Sequence, residues 1–255
     1  MIAEKDFAGR QSRGARELQE DAYAFSEIIG ADGKNEGILV VVADGMGGHT
    51  AGEQASELAL KNFIAAFHDA PGKINIRLKT GLTAANDGIA KQVQRDAAFE
   101  GMGTTLLAVA VTPAGLEWIS VGDSPLYLLR NGRLEQLNED HSLRPVLKEM
   151  VKQGEIPAEQ TSSSKNILRA ALIGDEISLV DLSRKALREG DLILVATDGI
   201  RTLNDETIQT TCAQGATTDT RTVATNLLHA IRQVNNPKQD NTTVAVISVP
   251  SKYVS

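Results

Sequence analysis

The stretch TTLLAVAVTPAGLEWISVGDSPLYLLRNGRLEQL, residues 104–137, decides the fold class. Thr104–Val111 is rich in β-formers, Thr112-Pro113-Ala114-Gly115 is a turn, and Leu116–Val121 is a second β-run. Gly122-Asp123-Ser124-Pro125 turns again before Leu126–Arg130, and Asn131-Gly132 is a strong hairpin signal ahead of Leu134–Leu137. Connections this short leave no room for crossover helices, so the strands are expected to form an antiparallel meander. Upstream, Ala51–His68 places Ala55, Leu58, Ala59, Phe63 and Ala66 at helical spacing, and Ile74–Ala98 repeats the pattern less regularly. Downstream come a strand at Leu192–Thr197, a helix near Thr220–Val234 and a last strand at Thr243–Val249. Strands and helices fall in blocks rather than in strict alternation, which predicts an antiparallel sheet core with helices packed outside.

Four apolar runs each meet an aspartate at one end, and none of these aspartates has an obvious basic neighbour. Ile38–Ala43 ends in Asp44-Gly45, Trp118–Gly122 in Asp123, and Leu192–Thr197 in Asp198-Gly199. In the fourth, Asp240-Asn241 precedes Thr242–Ile247. In an antiparallel core, strand C-ends and neighbouring N-ends share one edge, which would gather the four carboxylates. Such a cluster costs several kcal/mol unless cations sit within it, and hard metal ions with oxygen ligands are the simplest remedy. A single Asp-Gly pair is most often a turn, and Asp32-Gly33 and Asp87-Gly88 read as turn or helix-end pairs. Four carboxylates abutting apolar strands fit that reading poorly.

Composition narrows the function. The 255 residues fit one domain, 1–255, with no Pro/Ser/Gly-rich linker, and 42% hydrophobic content supplies a core. A net charge of −7 argues against nucleic acid or anionic membranes as main partners. The single cysteine, Cys212, excludes an internal disulfide and suits a reducing compartment. No apolar stretch approaches membrane-spanning length, and Met1–Asp6 lacks a signal-peptide layout, so a cytoplasmic location is expected. The Thr161–Lys165 tract reads as a mobile loop.

Around Asp44 the glycines of Asp44-Gly45-Met46-Gly47-Gly48-His49 let backbone come close to a ligand, and Gly45 could offer its carbonyl to a metal. A plain strand-to-helix turn is the alternative. Arg10, Arg13 and Arg16 compete for forking onto phosphate oxygens, with surface ion pairs the default for each. His49 and His141 are equally available as proton donors.

These residues, in this order, resemble the metal-dependent protein phosphatases of the type 2C family, bacterial branch, over nearly the whole chain. The matching blocks are R-x-x-x-E-D-A (Arg16 to Ala22), V-x-A-D-G-M-G-G-H (through His49), G-x-G-T-T (Gly101 to Thr105) and V-G-D-S (Val121 to Ser124). D-H-S (Asp140 to Ser142), T-D-G (Thr197 to Gly199) and D-N-T-T (Asp240 to Thr243) follow in register. The resemblance implies an α+β fold, a four-layer αββα sandwich of two packed antiparallel sheets flanked by helices, with a flap-like segment about 141–172. It implies hydrolysis of phosphoserine and phosphothreonine by a water or hydroxide bridging two Mn²⁺ or Mg²⁺ ions. Asp44 would bridge the two metals, Gly45 would bind one through its carbonyl, and Asp198 and Asp240 would complete the other. Asp123 with Asp198 would form a third, weaker site. Glu20 and Asp21 would hold metal-bound water, Arg16 would clamp the phosphate, and His49 is a candidate acid. Implied partners are phosphoproteins made by a bacterial Ser/Thr kinase, acted on by a monomer.

Three departures stand out. Met46 replaces the histidine that the eukaryotic branch carries after the first Asp-Gly, Arg201 introduces a cation after Asp198-Gly199, and the flap lacks the usual His-Pro. Should Arg201 face the metals, it would weaken the third site. Two alternatives stay open: a non-catalytic phosphatase-like binding module, and a hydrolase of small phosphoesters.

Overall fold

The structure, a computed structural model, describes residues 1–30, 33–48, 50–161, 164, 166–215 and 219–251. Eleven strands run β1 (Phe7–Ser12), β2 (Asp21–Ile29), β3 (Asn35–Met46), β4 (Gly103–Thr104), β5 (Leu106–Thr112), β6 (Gly115–Val121), β7 (Leu126–Arg130), β8 (Arg133–Gln136), β9 (Asp181–Lys185), β10 (Leu192–Ala196) and β11 (Thr242–Ser248). Five α-helices accompany them: α1 (Ala51–Asp69), α2 (Ile74–Arg95), α3 (Arg144–Lys152), α4 (Asp205–Gly215) and α5 (Thr220–Val234). One sheet has the order β1-β11-β10-β7-β8, the other β2-β3-β5-β6-β9 with β4 on the end of β3, and every strand pairing is antiparallel.

Why the strands read as continuous apolar runs is visible in their alternation. Val40 and Val42 of β3, with Leu107 and Val109 of β5, point into the space between the sheets. Leu39, Val41, Leu106 and Ala108 point the other way, onto Phe63 and Phe67 of α1 and Leu78 and Ile89 of α2. In the second sheet, Ile193, Val195, Ala245 and Ile247 face the sandwich interior, while Leu194, Val244 and Val246 pack on Ile208 of α4 and Leu227 and Ile231 of α5. Each sheet is thus a middle layer buried on both faces, which removes the apolar/polar alternation expected of a sheet with a wet side. The three apolar clusters are the three interfaces of a four-layer αββα sandwich.

The expected meander over 104–137 is corrected. β5 pairs with β6 and β7 with β8, but β6 and β7 do not pair, and Gly122–Pro125 carries the chain from one sheet to the other. Leu116 and Trp118 of β6 instead meet Leu126 and Leu128 of β7 across the sandwich. Strands apolar on both sides bury more surface as two stacked layers than as one sheet edge. Asp87-Gly88 lies inside α2 rather than at a helix end, where the bare Gly88 lies against Asn62 of α1. Of the Thr161–Lys165 loop, Ser162, Ser163 and Lys165 lie outside the described residues. Among the described residues, no helix is long and apolar enough to cross a membrane.

Candidate metal centre

The crossover between sheets and the ends of β3, β10 and β11 meet at one place. Asp44 sits near the end of β3, Asp123 in the crossover, Asp198 just past β10 and Asp240 just before β11. All four line a single cavity of about 710 Å³, together with Arg16, Glu20 and Gly45. Asp21 opens β2 in register opposite Asp44 on the neighbouring strand. The expected edge therefore exists, with β3 running on past Asp44 to pair Gly45 and Met46 with β4.

Backbone contacts fix the turn that carries Asp44. The Asp44 N–H donates to Thr105 Oγ1 at 3.1 Å, and its carbonyl accepts from Thr104 Oγ1 and the Thr105 N–H, both at 2.9 Å. Gly45 and Gly199 are required by space. A Cβ on Gly45 would lie 2.0 Å from the Gly52 carbonyl oxygen, and one on Gly199 equally close to that of Asn241. These approaches pack the Asp44 loop against α1 and the Asp198 loop against the Asp240 loop. The Asn241 side chain ties down the segment carrying Arg16 and Glu20. It donates to the carbonyls of Arg13 and Leu18 and accepts from the Glu20 N–H.

The electrostatics of the cluster are unfavourable without a cation. Burial raises the Asp44 carboxyl well above the ordinary carboxylate range, and Asp21, Asp198, Asp123 and Asp240 push it further. Burial likewise raises Asp123 to about 7, with Asp198 and Asp140 adding to it. Asp21 is raised to about 7, chiefly by burial, against hydrogen bonds donated by Thr197 and Thr243 at 2.8 Å. Its other oxygen, Oδ1, is buried and has no partner among the described residues. Asp198 rises by burial and by the nearby Asp240. Among the described residues no three His, Cys, Asp or Glu side chains form a closed cage for one ion. An Mg²⁺-type ion does not need one, since it keeps several waters and takes one or two carboxylates. An orphaned buried carboxylate oxygen, clustered repulsion and an all-oxygen donor set fit divalent cations of that kind.

The aspartates are not all without cations. Arg16, 224 positions away in sequence, places NH2 2.7 Å from Asp240 Oδ2, and Arg144 NH2 lies 3.7 Å from Asp123 Oδ2. These pairings are invisible in sequence because folding creates them. Among the three competing arginines, Arg10 pairs with Glu4 and Arg13 caps the Glu17 carbonyl, leaving Arg16 alone at the cavity. Glu20 lines the cavity too, its carboxyl raised by burial. His49 lies outside the described residues. His141 is buried behind the crossover, its Nδ1 accepting from the Gly122 N–H at 3.3 Å and its backbone N–H donating to the Gly122 carbonyl. Burial lowers its pKa, and its two bonds to Gly122 clasp the Asp123 loop.

Two residues to which the motif reading assigns no role, Asp140 of the D-H-S block and Arg144, stand beside the cluster. Asp140 accepts from the Ser142 N–H and hydroxyl, from Arg144 at 2.8 Å and from Arg201 at 3.2 Å. Although burial opposes it, these contacts hold its carboxyl below the ordinary range. The Asp140–Arg144 spacing of four at a helix start was the available signal. Arg201 does turn towards the cluster, but its NH2 meets the Asp123 backbone carbonyl at 3.2 Å, not the carboxylate. The flap-like segment packs over the cavity through Asn166, Leu168, Arg169 and Ala170. Cys212, on the buried face of α4, has its thiol pushed up to about 12 by burial, which removes it as a nucleophile.

A family model described as protein phosphatase 2C matches residues 8–231. The serine/threonine protein phosphatase PstP of Mycobacterium tuberculosis is 35% identical over 208 residues, covering 79% of this chain but 38% of that protein. The chain thus spans about two-fifths of that relative. The serine/threonine phosphatase stp of Listeria welshimeri is 34% identical over 183 residues, covering 69% of this chain and 71% of that protein. A solved structure of the PstP catalytic domain in complex with two manganese ions superposes with a TM-score of 0.77 at 31% identity, covering 96% of this chain and 98% of that one. With the sandwich and the carboxylate cluster already in place, these matches fix the family: the chain belongs to the protein phosphatase 2C family.

Proposed function

We propose that the chain is a metal-dependent phosphatase that hydrolyses phosphoserine and phosphothreonine in proteins, with 1–255 as one catalytic domain. The observation that carries this reading is the convergence of Asp44, Asp123, Asp198 and Asp240 on one cavity with Arg16 at its edge. Asp44 and the Gly45 carbonyl would hold one ion, and Asp44, Asp198 and Asp240 the other. Asp123 with Asp198 would hold a third more weakly, because Arg144 already stands 3.7 Å from Asp123. Mn²⁺ or Mg²⁺ there would lower the pKa of a water and neutralise charge on the leaving oxygen. The two manganese ions of the PstP structure support the choice of metal.

The chain's own residues position the reaction. The Arg16 guanidinium forks onto two phosphoryl oxygens on leaving its Asp240 partner, holding the phosphorus over Asp44. Glu20, which lines the cavity, would accept hydrogen bonds from water there and set its direction, and the unpartnered Oδ1 of Asp21 would add a second acceptor from the start of β2. His49 is assigned the proton to the leaving hydroxyl on its chemistry alone. Phosphoryl transfer rests on positioning and electrostatics, so no covalent nucleophile is needed. The substrates would be products of a bacterial-type Ser/Thr kinase, as the bacterial origin of the relatives suggests, met in the cytoplasm by a monomer. Purified protein with Mn²⁺ is expected to hydrolyse p-nitrophenyl phosphate and a phosphothreonine peptide, with a higher kcat/KM for the peptide. Failure on both substrates sinks the reading, and a preference for small phosphoesters reassigns the substrate class.

A further inference from the structure

A second cavity of about 580 Å³ adjoins the first, and Asn166, Asp198 and Asp240 line both. Three cations stand in its wall. Arg144 is the first residue of α3, Arg201 follows Asp198-Gly199, and Lys238 lies two residues before Asp240. Asp198 and Asp240 belong to the metal cluster. The remaining acids are Asp205 in the wall and Asp140 behind it, which alone holds both Arg144 and Arg201. The wall thus holds three cations and three acids, of which Asp240 is already paired with Arg16 and Asp198 is assigned to the metal cluster.

Donor capacity is left over as well. The Arg201 Nε is buried with no acceptor among the described residues, although its NH2 is fully engaged on Asp140 and the Asp123 carbonyl. Lys238 is exposed and makes no ion pair among the described residues. The Tyr127 phenol also reaches this wall, and Arg201 and Arg144 both bear on it. A guanidinium with a spare buried N–H beside a free ammonium is a receptor for an oxyanion.

We infer that this second cavity is an anion subsite for the substrate chain, taking a carboxylate or a second phosphate a few residues from the phosphoryl group being removed. The inference rests on the phosphatase reading above and extends it to sequence choice. An extended chain advances about 3.3 Å per residue, so a side chain two to four residues away lies roughly 7–13 Å from the phosphorylated one, the reach of an adjoining pocket.

Binding is best read with fluorescent peptides whose threonine carries a non-hydrolysable phosphonate, titrated against the Mn²⁺-loaded protein by anisotropy. One set places aspartate, a second set phosphoserine, and a third alanine at each position within four residues of the phosphonate. The expected result is that at least one acidic position tightens Kd about three- to tenfold over its alanine counterpart. A gain in the aspartate set identifies a carboxylate as the occupant, and a gain in the phosphoserine set alone identifies a second phosphate. Lys238→Glu and Arg201→Gln should each bring that within-variant ratio down towards one. Equal affinities in all three sets overturn the subsite, as does an acidic preference that survives both substitutions. Hydrolysis of p-nitrophenyl phosphate, followed separately, tests the phosphatase reading itself, because phosphonate binding does not require turnover.

Discussion

Two aspartates, one fully buried and one half-buried at the cavity, show what this fold does with charge. Asp191, just before β10 and at the other end of that strand from Asp198, receives a fork from Arg130, with Nε on Oδ1 at 2.8 Å and NH2 on Oδ2 at 2.5 Å, and a third bond from the Arg188 N–H. Asp44, at the opposite end of β3's neighbourhood, has no cation or hydrogen-bond donor on its carboxylate among the described residues, and four more carboxylates crowd it. The first is solved within the chain; the second is complete only with an outside cation. A buried acid is therefore a sign of function only when its partners are missing.

The largest effect should separate the two. Asp44→Asn is expected to lower Mn²⁺-dependent kcat on the order of a thousandfold or more, since in the proposed site one side chain would serve two ions. Metal-free Asp44→Asn at pH 8 should unfold at no lower denaturant concentration than the parent, because the substitution relieves repulsion. Asp191→Ala should do the reverse. It leaves the Arg130 charge without its partner and costs about 3 kcal/mol of stability, with kcat per folded molecule kept. Denaturant titration beside steady-state kinetics checks both, and a stability loss in Asp44→Asn would erase the contrast.

Arg16→Lys comes next. A lysine keeps the charge beside Asp240 but cannot fork onto two oxygens, so kcat/KM should fall by about 10- to 100-fold. A loss confined to high ionic strength would mean that charge alone, not geometry, matters at this position.

The pH dependence of the metal-free protein sharpens the comparison further. Asp21 and Asp123 are raised from 3.8 to about 7, so between those values the folded state holds more protons than the unfolded one. The stability that these two groups contribute is then fully present below about pH 4 and is lost as pH rises through about 7. The thermal midpoint should drop on the order of 5–10 °C across that window, and Mn²⁺ should cancel the drop by taking the place of the protons. A midpoint that climbs with pH in metal-free protein would contradict the cluster's electrostatics.

How far the chain could be read beforehand follows from the same physics. The strands with apolar faces on both sides were legible as runs, and the aspartates at their ends were legible as a set. Helix α5 was legible to its last residue, because Val223, Leu227 and Ile231 repeat at helical spacing. The resemblance carried the two packed sheets, but local pattern alone could not separate one sheet from two, since the pairing of β6 with β9 rather than β7 depends on layers packing across the sandwich. β9 itself, Asp-Leu-Ser-Arg-Lys, is a polar edge strand with no period to detect. At the site, Asp44 and Asp123 could be named from local pattern. Which arginine meets which acid could not, because Arg16–Asp240 and Arg201–Asp140 join loops far apart in sequence.

The smallest effect belongs to Met46, which stands where a proton-bearing side chain could otherwise face the cleft. Its methyl group packs over Gly103 of β4, and it lines the cavity beside Gly45 and Gly47. A thioether neither titrates nor donates, so its contribution is the shape of the wall that keeps β4 against the end of β3. Met46→Ala should change kcat/KM by less than about threefold and leave the pH profile where it was. If the profile moved, the Asp44 loop would have shifted, and the wall would be a second route by which the chain sets the charge of its unpartnered acids.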